Sequence, residues 1–222
     1  MKKIIAAIGA ASLIAISTHA QGLVNFTSST QNVQTNNSLP ALGATASGKI
    51  LGQGNYYFAL FYSVSSPAIG AHTGLDAGGS YAWDSGSWTS VTGTLATNTA
   101  VAGRFAGAEN ADSSTTVNGL AGGADAYFIV IGWSANLGTS LAAVEAAMST
   151  PGSTGFLGQS VASGLIETGD GGTITTPGLF GGVSPNIQGF TLGSFAVPVP
   201  EPGTLALSAL GGASLLLFRR KK

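Results

Sequence analysis

The segment Tyr56–Val64, YYFALFYSV, and its companion Tyr127–Trp133, YFIVIGW, decide how this chain is read. In the first, Tyr56, Phe58, Leu60 and Tyr62 fall on one side of an extended backbone, and Tyr57, Ala59 and Phe61 on the other. Both sides are apolar. Aromatic and β-branched residues over so short a run favour a strand over a helix. A strand that is apolar on both faces belongs in the middle of a sheet. Working outward, shorter apolar runs at 22–28, 48–52, 88–95, 100–106, 157–163 and 187–196 predict weaker strands between clusters of Gly, Asn, Ser and Thr. The pattern is that of an all-β fold: a single β-sandwich, jelly-roll or Ig-like.

Two local features interrupt the strands. Leu141–Met148, LAAVEAAM, predicts a short helix, capped by Thr139 or Ser140 and ended by Pro151-Gly152. Ser80–Trp88, SYAWDSGSW, predicts a hairpin whose turn is Asp84–Ser87, with Trp83 and Trp88 facing each other across the strands.

The 222 residues carry eight Lys and Arg against nine Asp and Glu, a formal net charge of -1. That near-neutrality hides an uneven distribution. Lys2, Lys3 and Arg219–Lys222 are terminal, which leaves only Lys49 and Arg104 in the interval 21–197. Against them stand eight acids (Asp76, Asp84, Glu109, Asp112, Asp125, Glu145, Glu167 and Asp170), so that interval has a net charge of -6. So few cations exclude a nucleic-acid binder. With no cysteine, disulfide scaffolds and thiolate metal sites are excluded too.

Residue types also restrict the chemistry. A Ser/His/Asp set needs an imidazole, and within 21–197 only His72 supplies one, in a Gly-rich loop without a Gly-x-Ser-x-Gly elbow. One histidine is too few for a zinc site. The glycines lack the lysine of a phosphate loop and read as turns. Glycoside hydrolysis needs two carboxylates at a set separation, which eight acids could supply, but no motif selects a pair. Glu109–Ser114 and Glu167–Gly172 are the oxygen-rich loops open to a structural calcium; both also read as ordinary polar turns. Tyr81, Trp83 and Trp88, with Asp84 beside them, are the candidate glycan platform, and the rival reading buries these aromatics as a cross-strand pair. The 41 Ser and Thr residues of the interval are either acceptors for O-linked sugar or ordinary strand and turn residues.

The ends are addresses. Residues 1–20 show a basic Lys2-Lys3, an apolar run Ile4–Ile16 and Thr18-His19-Ala20, the three parts of a secretory signal, a signal helix cleaved between Ala20 and Gln21. At the other end stand Pro200-Glu201-Pro202, an apolar run Thr204–Phe218, and Arg219, Arg220, Lys221 and Lys222. As a helix, the uncharged stretch from Gly203 covers about 24 Å, somewhat short of a ~30 Å hydrocarbon core, and snorkelling of the terminal cations closes the difference. The four cations keep that end of the transmembrane helix cytoplasmic and the body outside.

The order of these three C-terminal elements strongly resembles the PEP-CTERM sorting signal of exported bacterial proteins. The resemblance implies recognition by exosortase, a membrane-embedded cysteine protease/transpeptidase, with processing near Pro200-Glu201-Pro202 and release or transfer of the body to the cell surface or matrix. A second, looser resemblance lies in Trp133-Ser134, the alanine-rich helix and Gly158-Gln159-Ser160, a layout similar to secreted β-sandwich bodies carrying this tail; it brings no active site. The expected organisation is a signal peptide at 1–20, a body at 21–197 and a sorting signal at 198–222. The expected role is non-enzymatic, structural or adhesive, with signal peptidase, exosortase and transiently the inner membrane as partners. The alternatives are a module binding matrix exopolysaccharide and a secreted polysaccharide-active enzyme.

Overall fold

The computed structural model describes residues 21–28, 33–36, 48–65, 69–74, 81–91, 93, 95–107, 110, 113–181, 185–199 and 203. The expected signal helix at 1–20, transmembrane helix at 204–218 and basic tail lie outside them.

The two apolar segments are strands and pair with each other. β4 (Tyr56–Ser63) runs antiparallel to β10 (Asp125–Ser134) in unbroken register, with Leu60 opposite Val130 and Phe61 opposite Ile129. Alternation sends Phe58, Leu60, Tyr62, Phe128 and Val130 into one core, and Ala59, Phe61, Ile129, Ile131 and Trp133 into another. The pair is therefore covered on both faces, as its doubly apolar sequence requires.

The first core is closed by Val24 of β1 (Gln21–Val24) and by Val117 and Leu120 of β9 (Thr115–Ala121), which form a two-stranded sheet. Phe105 is its hub. Its ring stacks on Phe58 at 4.2 Å and meets Phe26 and Phe180 edge-on at 5.3 and 5.0 Å. The second core is closed by a 3₁₀ turn (Ala82–Asp84), by Leu137 of another (Ala135–Leu137), and by Val144 of helix α1 (Leu141–Ser149).

Along the sheet, β10 is followed by β11 (Thr154–Gln159), β13 (Thr191–Ala196), β2 (Gln34–Asn36) and β3 (Gly48–Lys49). On its other side, β4 is followed by β7 (Ala96–Asn98) and β8 (Phe105–Ala106). The named pairs are antiparallel except β13 with β2. The residues flanking the two ends of this path are joined: Val33 N–H donates to Gly103 O at 2.8 Å and Gly103 N–H to Ile50 O at 3.0 Å. The large sheet thus curls until its margins meet, which leaves fewer unpaired strand edges. Short strands β5 (His72–Thr73), β6 (Thr89–Ser90) and β12 (Ile166–Glu167) pair with β11, β4 and β10.

The all-β expectation is met at this level: the described residues form a mostly β fold of largely antiparallel pairs with one short helix. The helix is capped as expected, Ser140 Oγ accepting from Ala143 N–H at 3.3 Å. Some expected strands are shorter. Only Phe105 and Ala106 of 100–106 are in a strand, and of 88–95 only Thr89 and Ser90. β9 was not foreseen, because its TTVNGLA has few apolar residues and the burial pattern loses alternation at Asn118-Gly119.

The expected hairpin at Ser80–Trp88 is replaced by the 3₁₀ turn. Ala82 N–H donates to the buried Gln159 Oε1 at 2.7 Å, and the Tyr81 hydroxyl donates to Gly74 O at 2.7 Å. These long-range ties hold the segment against the sheet. Trp83 consequently stacks on Tyr81, centroids 4.7 Å apart, while Trp88 turns into the second core, so the expected Trp83–Trp88 pairing across two strands is not formed.

Candidate processing site

The place where the chain leaves the fold is built by β13, β11 and the end of α1. Thr150 Oγ1 donates to Ala146 O at 2.9 Å, and Pro151 stops the helix. The following turn meets the end of β13: Gly152 N–H donates to Val197 O and Val197 N–H to Ser153 O, both at 2.9 Å. Ala196 still pairs with Thr154. Beyond Val197 the character changes. Pro198 and Val199 are exposed, and proline has no amide to continue a ladder. The backbone thus passes directly from the buried part of β13 to the exposed Pro198 and Val199. Pro200, Glu201 and Pro202 follow at once and lie outside the described residues, as do Arg219, Arg220, Lys221 and Lys222.

Comparison with known families decides the reading of this junction. A model of the PEP-CTERM protein-sorting motif matches residues 198–221. The chain carries a PEP-CTERM sorting motif. Its first matched residue is Pro198, directly after Val197, whose backbone is hydrogen-bonded to Gly152 and Ser153. The PEP-CTERM motif marks an exosortase substrate and implies export and sorting to the cell surface. No curated protein and no solved structure matches the chain.

At the other end, Gln21 opens β1, opposite Ala121 of β9. Ala20, its expected partner at the signal cleavage, lies outside the described residues. Among the described residues, no helix is long and apolar enough to cross a membrane.

The aromatic candidates do not make a platform. Tyr81 is 3% exposed and Trp88 6%, Trp83 is half-buried, and only Asp84 of the four is exposed. The rival reading of burial holds for Tyr81 and Trp88, though within a 3₁₀ segment. His72 is half-buried in β5, where a loop was expected, and its ring lies 5.8 Å from Tyr81.

Asp125 and Glu167 stand directly opposite each other on paired strands. Among the described residues, no three His, Asp or Glu side chains converge as a metal site. Asp170 is engaged by its own loop: Oδ2 accepts from Thr173 Oγ1 at 2.6 Å, and Oδ1 accepts from Ile174 and Gly172 N–H, both at 2.8 Å. These hydrogen bonds, that from Thr173 foremost, hold its carboxyl down at about 2. Glu109 and Asp112 of the other oxygen-rich loop lie outside the described residues.

Two hollows in the surface are lined by described residues. One, of about 240 Å³, is lined by Ala59, Ser90, Val91, Gly93, Leu95, Ser140 and Leu141. The other, of about 290 Å³, lies at the Tyr56 end of the central strands between Asn55, Tyr56, Ser134, Ala135, Asn136 and Phe156. Burial pushes the Tyr56 phenol up from its ordinary pKa. Sequence reasoning missed the second hollow, because its two aromatic rings come from strands a hundred residues apart in the chain.

The Trp133–Ser134 and Gly158–Gln159–Ser160 layout serves the scaffold. Trp133 Nε1 donates to Gly138 O at 2.8 Å, Ser134 Oγ accepts Phe156 N–H at 2.9 Å, and Ser160 Oγ accepts Val130 N–H at 3.0 Å. Gln159 spans two loops, accepting from Ala82 and donating through Nε2 to Gly70 O at 3.0 Å.

Proposed function

We propose that the body is a non-enzymatic, structural or adhesive component of the cell surface or extracellular matrix. It is delivered by cleavage after Ala20, held transiently in the inner membrane by the Thr204–Phe218 helix, and freed by exosortase near Pro200-Glu201-Pro202. We read the body as a β-sandwich in which the larger sheet curls around the first core. The observation that carries the proposal is the match to the sorting motif beginning where the fold releases the chain. The structural role draws on the lone histidine of the 21–197 interval and on polar side chains such as Gln159 and Ser160 given over to backbone hydrogen bonds. Intact mass of the surface-associated and released protein tests the delivery. The expected product begins at Gln21 and ends close to residue 202; one species retaining both Met1 and Lys222 overturns it. Activity assays across a glycan panel test the role, with no reducing ends expected.

A second reading is favoured by the hollow at Tyr56. Two half-buried aromatic rings, Tyr56 and Phe156, stand with the amides of Asn55 and Asn136, a set suited to an uncharged sugar ring of a matrix polysaccharide. Titration with such polysaccharides, following binding to wild type and Tyr56→Ala, separates this reading from the first. A response that Tyr56→Ala abolishes supports it, and no response removes it.

A further inference from the structure

The only two cations of the 21–197 interval share one corner of the fold. Lys49 ends β3 and Arg104 precedes β8, on segments stitched by the hydrogen bond from Gly103 N–H to Ile50 O. Ile50 and Gly103 are buried, so alternation along both segments puts Lys49, Leu51 and Arg104 on the outside, where all three are exposed. Among the described residues, neither side chain has a hydrogen-bond or ion-pair partner. This corner abuts the Tyr56 end of the central strands: Asn98 Oδ1 accepts Tyr56 N–H at 2.9 Å, and Thr99 N–H donates to Arg104 O at 3.0 Å.

The opposite end of β10 mirrors it with the other sign. Asp125 opens that strand directly opposite Glu167 of β12. Ile166 is buried, so Leu165 and Glu167 both face outward, and Leu165 is 50% exposed. Like charges directly opposite on paired strands destabilise, and a cation brought by a partner relieves them. A strand of ten residues at ~3.3 Å each separates the two corners by roughly 30 Å. Of the other described acids, Asp84 and Glu145 stand on the elements that cover the second core, and Asp170 is turned into its own loop.

We propose that the body self-associates head to tail, the Lys49–Leu51–Arg104 corner of one copy docking on the Asp125–Leu165–Glu167 corner of the next. Each corner joins an exposed leucine to two charges, and the signs are complementary. The surfaces differ, so the contact is heterologous and extends into an open chain unless its rotation closes a ring. The inference does not depend on how the tail is processed. An acidic polysaccharide would engage the basic corner alone and leave the Asp125–Glu167 pair unrelieved.

Sedimentation of the full chain in detergent micelles, across protein concentration and salt, tests it. Wild type is expected to grow beyond dimers at low salt and to weaken as salt rises. K49E/R104E and D125K/E167K are each expected to raise the self-association Kd by roughly tenfold or more. Mixed together, the two variants are expected to regain growth beyond dimers, because the wild-type junction and its charge-reversed counterpart are both complementary; the fourfold reversal by itself regains association for the same reason. Circular dichroism checks each fold, and if a reversed pair misfolds, K49Q/R104Q and D125N/E167N test the same loss; mixed, they retain one good junction and form a 1:1 dimer that does not extend. Wild type that stays monomeric, association indifferent to both charge pairs, or acidic polysaccharide binding without self-association overturns the proposal.

Discussion

Ser163 and Phe128 exchange two hydrogen bonds of different kinds. The Ser163 amide donates to Phe128 O at 2.9 Å, and the Phe128 amide donates to Ser163 Oγ at 2.8 Å. Ser160 does the same with Val130, at 2.9 and 3.0 Å. β11 ends at Gln159, so the chain has left the ladder at both positions, and two hydroxyls stand where strand carbonyls would have been. The buried amides of β10 remain satisfied without a neighbouring strand.

Ser163→Ala leaves the Phe128 amide buried with no acceptor. Loss of such a partner costs about 1–3 kcal/mol, and a urea titration followed by circular dichroism should show that decrease. Val130 should lose hydrogen-exchange protection in Ser160→Ala in the same way.

Two buried tryptophans should respond differently to one substitution. Trp133 Nε1 donates to Gly138 O, whereas Trp88 Nε1 is buried with no partner. Trp133→Phe strands a carbonyl and is expected to cost about 1–3 kcal/mol more than Trp88→Phe, which removes an unsatisfied donor. Thermal unfolding of both variants checks the order.

Gly132 stands opposite Phe58 in the middle of the central pair, and a Cβ there would lie 2.7 Å from the Phe58 ring and 3.1 Å from a Leu192 methyl. Gly132→Ala should therefore overpack the first core and destabilise by about 1–3 kcal/mol. Gly54→Ala makes a contrasting control: no atom lies within 4 Å of its Cβ, but its φ of +77 opposes any side chain, so strain there comes from the backbone alone.

Asp170 sets an acid-side dependence. Its carboxyl is lowered from 3.8 to about 2 in the fold, so its stabilising contribution is present above the unfolded value and is lost as pH falls through the folded one. Between about pH 4 and pH 2, the wild type should lose stability more steeply than Asp170→Asn. Urea midpoints at stepped pH measure the difference.

Much of the frame was legible in residue order. The double apolar alternation of Tyr56–Val64 and Tyr127–Trp133 marked the sheet centre, because a residue's face in a strand follows from its parity. Ser140 and Pro151 bounded the helix through effects that reach only a few residues. The segment at Tyr81–Trp88 was misread for the opposite reason. Local turn chemistry suggested a hairpin, but its conformation is set by Gln159, 77 residues from Ala82, and by the Tyr81 tie to Gly74. The hollow at Tyr56 and Phe156 and the sharing of one corner by Lys49 and Arg104 were invisible for the same cause, since neither arises from neighbours in the chain.

The division follows the range of the forces. The sorting motif is a linear segment, so composition and order suffice: Pro200-Glu201-Pro202, the apolar run after it and the closing cations are legible as text. Exposure and pairing are properties of the packed body. Whether a tryptophan faces solvent, whether a serine replaces a strand, and how Val197 is tied to Gly152 and Ser153 depend on hydrogen bonds and core contacts between distant residues. Only the folded chain brings those together.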